Sequence, residues 1–204
     1  MLIQEKFISA GSLLYQYMKR YMVHLQNTML YTPKDAASLL RRARELVEHE
    51  AIIRDTRVSK KYIEFDTSLS DGTNVSKIIE RLEAISPVGS YEHIIERHMD
   101  KQESITRAIQ LFNDEKYWQA HEALEYVWKN ASGVEKDILN GLILVAAAFV
   151  HDEKDEPDVC LSILQRARKK LSGTTGTYYG MEVNRIAGRI SEMINSGKID
   201  RFTI

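Results

Sequence analysis

The stretch YWQAHEALEYVW, residues 117–128, places one histidine and two glutamates among large aromatic residues. On a helix, His121 and Glu125 lie one turn apart on the same side, and Glu122 lies at the edge of that side. An imidazole and carboxylates that converge in this way can bind a divalent cation, or transfer protons as a general acid and base. The same groups can also form a buried polar network that fixes how helices pack, and the residues alone leave both alternatives open.

The face that carries this pair is rich in aromatic residues. On a helical wheel, Tyr117, Trp118 and Trp128 fall in the same sector of about 120° as His121 and Glu125. So apolar a face predicts burial, and a buried carboxylate must be paired, protonated or bound to a cation. We therefore expect the His/Glu pair to lie in an apolar seam between two helices.

A second ligand-bearing helix comes next in the chain. The run ILNGLILVAAAFV, residues 138–150, is too short to cross a bilayer, which takes about 20 residues, and it predicts a buried helix that ends near His151. Helices joined by a short loop lie antiparallel, so His151 is expected opposite His121. His121, Glu125 and His151 would then be metal ligands, and Glu122 a further ligand or the general base. This donor set suits zinc, manganese or iron.

The motif FN-x3-YW-x-AHE-x-LE-x2-W, followed by GLI-x2-AAA-x2-H, resembles the domain of unknown function 309 family over residues 105–172. The resemblance implies a small all-helical bundle and a metal-dependent hydrolase activity. It carries His121, Glu122, Glu125 and His151 over as the polar positions of the site, and it leaves the N-terminal half uncovered. The residues expected to support the site structurally are Asn113, Tyr117, Trp118 and Trp128.

The pattern of the whole chain predicts an α+β fold. Residues 18–90 alternate strand and helix signals in the order β-α-β-β-α, with a short edge strand near 86–89, which indicates a ferredoxin-like split βαβ domain. Residues 91–204 show only helical periodicity and predict an all-helical bundle of about five helices. These are expected near 91–112, 115–129, 135–152, 157–171 and 181–196. Residues 1–17 are interpreted either as an extra helix or as an over-long start.

Composition narrows the class of protein. A net charge of -1 removes the usual electrostatic case for a nucleic-acid or membrane binder, and a single cysteine, Cys160, fits a cytoplasmic location and a core position. The strand KKYIEFD places Glu64 and Asp66 on one face, where they would repel phosphate, so nucleic-acid binding is not expected. Dimerisation or ligand sensing is the expected use of the first domain.

Two hypotheses follow for this uncharacterised chain. The first is a metal-dependent hydrolase that acts on an unidentified small molecule with zinc, manganese or iron and without an organic cofactor. The alternative is a non-catalytic ligand-binding or protein-interaction module, in which the His/Glu network is buried and structural. In that alternative the N-terminal domain supplies either dimerisation, as a homodimer, or ligand sensing.

Overall fold

The N-terminal region is a four-stranded antiparallel sheet with two helices on one face. The computed structural model describes residues 18–70, 72–95 and 99–204, so the predicted extension at 1–17 lies outside the described residues. The strands are β1 (Lys19–Gln26), β2 (Ala51–Val58), β3 (Tyr62–Leu69) and β4 (Val88–His93), in the order β2-β3-β1-β4. Helices α1 (Ala36–Val47) and α2 (Val75–Leu82) connect them. This topology confirms the ferredoxin-like split βαβ arrangement.

Local sequence signals explain these elements. The carboxylate of Asp35 accepts from the Thr32 backbone N–H at 2.7 Å, in a short turn of helix that leads into α1. The β2–β3 hairpin closes where Ser59 N–H donates to the Tyr62 carbonyl at 2.8 Å. Ile63 and Phe65 alternate onto the face under α1 and α2, where both are fully buried.

The predicted helix from residue 91 is wrong at its start. Strand β4 continues to His93 and pairs with β1, with Tyr91 opposite Val23 and His93 opposite Tyr21. The Tyr21 and His93 rings stack with their centroids 4.8 Å apart. A short edge strand has one half-exposed face and no apolar run, so its periodicity is weak.

The C-terminal region confirms the expected helical bundle. It contains α3 (Lys101–Asn113), α4 (Tyr117–Trp128), α5 (Gly133–Asp152), α6 (Pro157–Leu171) and α7 (Val183–Ser196). A two-residue hairpin, Thr177–Tyr178 with Met181–Glu182, precedes α7 and was not predicted. Within the described residues, no helix is long and apolar enough to span a membrane.

The bundle core runs continuously from α3 to α7. Gly141 lets α5 approach α6 closely, because a Cβ there would lie 2.4 Å from Leu171 Cδ2. Cys160 is fully buried in this core, as predicted, and burial raises the pKa of its thiol to about 12.

The second face of the sheet is polar and lies against the bundle. Here His24 Nε2 donates to Glu64 at 2.7 Å and Arg57 Nε donates to Glu64 at 2.5 Å. All three side chains are almost fully buried. Burial opposes ionisation of Glu64, but the Arg57 charge and the His24 hydrogen bond outweigh it and lower the pKa of Glu64 to about 2. We call this group, with Arg20 and Asp66, the sheet–bundle seam.

Two contacts tie the seam to the bundle. Arg20 forms a two-pronged ion pair with Asp66, at 2.8 and 2.6 Å, and its guanidinium lies 4.5 Å from the centre of a Trp118 ring. The backbone N–H of Val58 donates to the carbonyl of Glu153 at the end of α5. The sheet face that carries Glu64 and Asp66 is therefore buried rather than presented to solvent.

Candidate functional site

Helix α4 buries a different face from the one that the sequence predicts. Its buried residues are Tyr117, Gln119, Ala120, Ala123, Leu124 and Val127. The centre of this face is turned by roughly 120° from the predicted His/Glu side. The side chain of His121 is 24% exposed and that of Glu125 is 42% exposed, so the expected apolar seam around them is wrong.

Side-chain size explains the difference. Ala120 and Ala123 allow α4 to pack closely against its neighbours, which a tryptophan in the same position would prevent. The two tryptophans lie at the rim instead. Trp118 packs under Arg20, and Trp128 packs under Lys136 with the ammonium 4.6 Å from a ring centre. Each aromatic ring is thus covered by a long cationic side chain.

The three polar residues of the motif do converge. One ligand atom from each of His121, Glu122 and Glu125 lies within 4.8 Å of the other two. His121 Nε2 and Glu125 Oε1 are 3.5 Å apart, as expected for residues one turn apart on a helix. The group is half-exposed, which leaves room for water or a ligand above it. We call it the His/Glu cluster.

The His121 ring also contacts the next helix. Its Nδ1 lies 3.4 Å from the backbone carbonyl of Ile143 on α5, a long hydrogen bond when Nδ1 carries the proton. In that tautomer Nε2 has a free lone pair and faces Glu125. A backbone carbonyl that holds one ring nitrogen while the other faces outward is the usual arrangement of metal-binding histidines.

The register between α4 and α5 places His151 away from the His/Glu cluster. His121 is opposite Ile143, and Tyr117 is opposite Phe149, with ring centroids 5.0 Å apart. His151 lies eight residues beyond Ile143, which is about 12 Å further along the helix. Its imidazole pairs with the carboxylate of Glu156, the residue immediately before α6. The structure therefore brings His121, Glu122 and Glu125 together without His151.

The positive charge of Arg20 interacts with the His/Glu cluster. The pKa of Arg20 is raised, chiefly by its hydrogen bond to Asp66, and Glu122 contributes through its charge. Arg20 is therefore within electrostatic reach of Glu122, and its contact with Trp118 brings it to the N-terminal end of α4. Arg20 is thus a positive charge, fixed by Asp66 and Trp118, that acts on Glu122.

Asn113 and Tyr117, expected to support the site, have other surroundings. The Asn113 amide makes two hydrogen bonds with the backbone of Ile204, donating at 3.0 Å and accepting at 2.8 Å. Tyr117 packs in an aromatic group with Phe112 and Phe149. Asn113 thus fastens the end of α3 to the C-terminal segment, a long-range contact for which the sequence gives no signal.

Comparison with known proteins confirms the family resemblance. Residues 105–163, which run from within α3 to within α6, match the model of the domain of unknown function DUF309. A conserved hypothetical protein from Thermus thermophilus is similar in structure, with a TM-score of 0.40 and 27% sequence identity. The match covers 44% of this chain and 94% of that protein. No curated protein matches the chain.

Proposed function

We propose that this protein binds a divalent metal ion at the His/Glu cluster and uses it in a hydrolytic reaction. The observation that carries the proposal is the convergence of three ligand atoms, from His121, Glu122 and Glu125, within 4.8 Å of one another. One imidazole and two carboxylates suit zinc, manganese or iron. Three protein ligands leave further coordination positions for water and substrate, as catalytic sites require.

The role of Glu122 follows from the ligand count. Without His151, His121 and Glu125 would supply only two ligands, which is fewer than a stable site needs. Glu122 is therefore assigned to the metal rather than to general-base catalysis. A bound metal ion would supply a hydroxide at neutral pH by lowering the pKa of its water.

Arg20 is the residue that we assign to substrate binding. Its charge interacts with Glu122, and Asp66 and Trp118 hold its guanidinium in place, so substrate binding would cost little side-chain entropy. Its side chain remains 35% exposed. A small anionic substrate, such as a phosphate ester or a carboxylate, would contact this group while its scissile bond faces the metal.

The competing hypothesis is that the His/Glu cluster is structural. A structural polar network is usually buried and closely hydrogen-bonded. The His121–Glu125 contact of 3.5 Å is long, and both side chains are partly exposed. Such a pair contributes at most about 1 kcal/mol to stability. This weak contribution favours a binding role for the cluster.

The test is metal binding by the full chain, measured by calorimetry with zinc and manganese separately. We expect one site per chain, and we expect His121→Ala and Glu125→Gln each to weaken binding by at least about tenfold. His49→Ala, which removes an exposed histidine elsewhere, is the matched control. Absence of saturable binding, or an equal loss in His121→Ala and His49→Ala, would overturn the proposal.

Hydrolysis is tested separately on the metal-loaded protein with a panel of phosphate and carboxylate esters. We expect turnover that Glu122→Gln abolishes, with the melting temperature unchanged because Glu122 is exposed. Metal binding without turnover of any ester would support the non-catalytic hypothesis instead.

A further inference from the structure

A cavity of about 460 Å³ lies beside the start of α4. It is bounded by the α3–α4 connection, by α7 and by the C-terminal segment at 201–203. A volume of this size is typical of pockets that bind small molecules. None of the three residues of the His/Glu cluster lines it, so a ligand bound in this cavity would be independent of the proposed metal site.

One wall of the cavity carries a polar group with no partner. Tyr117 is 1% exposed, and its hydroxyl makes no hydrogen bond within residues 18–70, 72–95 and 99–204. Burial, and the nearby charge of Glu153, raise the pKa of Tyr117 above its usual range. The hydroxyl is therefore a neutral donor available to a ligand.

Two of the three arginines in the lining are already paired with carboxylates. Arg201 donates to Asp152 at 2.6 Å, and Arg189 donates to Asp200 at 2.5 Å and to Glu192 at 2.7 Å. Their charges are therefore largely neutralised within the protein, and they shape the cavity rather than bind in it.

Arg185 is different. Its guanidinium donates to the backbone carbonyl of Thr203 at 3.0 Å, and no carboxylate of the described residues lies within ion-pair distance of it. Glu115, the carboxylate in the lining, instead accepts from the backbone N–H groups of Lys60 and Lys61. The positive charge of Arg185 is thus uncompensated at the cavity, where its planar fork can bind a carboxylate through two hydrogen bonds.

The remaining walls are aromatic. The rings of Phe112 and Phe202 line the cavity with their centroids 6.0 Å apart and their planes tilted by 51°. Phe112 is only 1% exposed, so the partly exposed ring of Phe202 supplies the apolar surface for a flat ligand, and it prefers offset or edge contacts with another ring.

We infer that this cavity binds a small aromatic carboxylate. The carboxylate pairs with Arg185, the ring lies against Phe202, and an oxygen at the opposite end of the ligand accepts from the Tyr117 hydroxyl. The combination of an uncompensated arginine, an apolar wall and a hydroxyl donor at the cavity defines all three parts of the ligand.

The test uses para-hydroxycinnamate, which has all three parts, titrated into the full-length isotope-labelled chain and followed by NMR. We expect saturable shifts of the backbone amides around the cavity. Arg185→Gln, which keeps the length of the side chain, should weaken binding by at least about tenfold. Arg168→Gln, a change at an exposed arginine on α6, is the matched control and should leave binding unchanged.

Two further ligands separate the contributions. The uncharged amide of the same acid should bind at least about tenfold more weakly, because it cannot pair with Arg185. Cinnamate, which lacks the hydroxyl, should bind wild type and Tyr117→Phe equally, whereas para-hydroxycinnamate should lose affinity in Tyr117→Phe. Absence of saturable shifts up to about 5 mM ligand, or equal affinity of wild type and Arg185→Gln, would overturn the inference.

Discussion

Replacing Glu64 by Gln tests the electrostatics of the sheet–bundle seam. The carboxylate is buried and accepts from His24 and Arg57, which lower its pKa from 4.5 to about 2. A difference of this size between the unfolded and folded chain corresponds to about 3 kcal/mol. Gln keeps the shape and one acceptor oxygen, so the charge is what the variant removes.

The sign of the pH dependence follows from the direction of the shift. Because the folded-state pKa is lowered, the stabilisation by Glu64 is fully present above about pH 4.5 and is lost as the pH falls towards about 2. We therefore expect Glu64→Gln to lower the free energy of unfolding by about 3 kcal/mol at about pH 7, and by about 1.5 kcal/mol at about pH 3.

The assay is urea unfolding of wild type and variant across this pH range, with equal slopes as the check that both unfold alike. Glu45→Gln, at an exposed position on α1, is the control and should change stability by less than about 0.5 kcal/mol. If Glu64→Gln were equally destabilising at both ends of the range, packing rather than charge would be responsible, and the reasoning would fail.

Three other predictions concern packing and exposure. Gly141→Ala should destabilise the protein by about 1–3 kcal/mol in urea unfolding, because the added Cβ would lie 2.4 Å from Leu171. The control Gly188→Ala, which has open space around it, should stabilise the protein by up to about 1 kcal/mol. Equal effects of the two substitutions would contradict the close approach of α5 and α6. Tyr117→Phe should leave the melting temperature unchanged or raise it, since the hydroxyl has no partner to lose, and a clear drop would reveal a hydrogen bond. Cys160 should not be alkylated at about pH 8 until the chain unfolds, because its thiol is buried and its pKa is raised. Mass spectrometry measures the extent of alkylation, and rapid labelling of the folded protein would show that the thiol is accessible.

The N-terminal fold was predictable because its signals are local. The alternation of Ile63 and Phe65, the turn at Ser59 and the cap at Thr32 each depend on neighbouring residues. Together they determine strand and helix order, and only one common arrangement has that order. Strand β4 was missed beyond Gly89 because its pairing with β1 depends on residues far away in sequence.

The candidate site was only partly predictable. The convergence of His121, Glu122 and Glu125 follows from helix geometry within one segment, so the sequence suffices for it. Which face of α4 is buried depends on the shape of its neighbours, and there the small Ala120 packs better than a large aromatic ring. The separation of His151 from the cluster depends on the register of α4 and α5, which helical periodicity does not encode.

The cavity could not be predicted at all. Its walls come from segments up to ninety-one residues apart, as the pairing of Asn113 with Ile204 illustrates. Arg185 and Phe202 lie in stretches that carry no motif. The one available signal was Tyr117, an aromatic residue with a polar end in an otherwise apolar setting.

The charged character of the sheet–bundle seam has a consequence for dissecting the chain. A fragment of residues 18–95 would expose Arg57, Glu64 and Asp66 to solvent rather than a large apolar surface. Water would then solvate these ions and weaken their attraction, because the surroundings become more polar. Such a fragment should be less stable than the full chain but should not aggregate, whereas a fragment that exposes an apolar interface usually does.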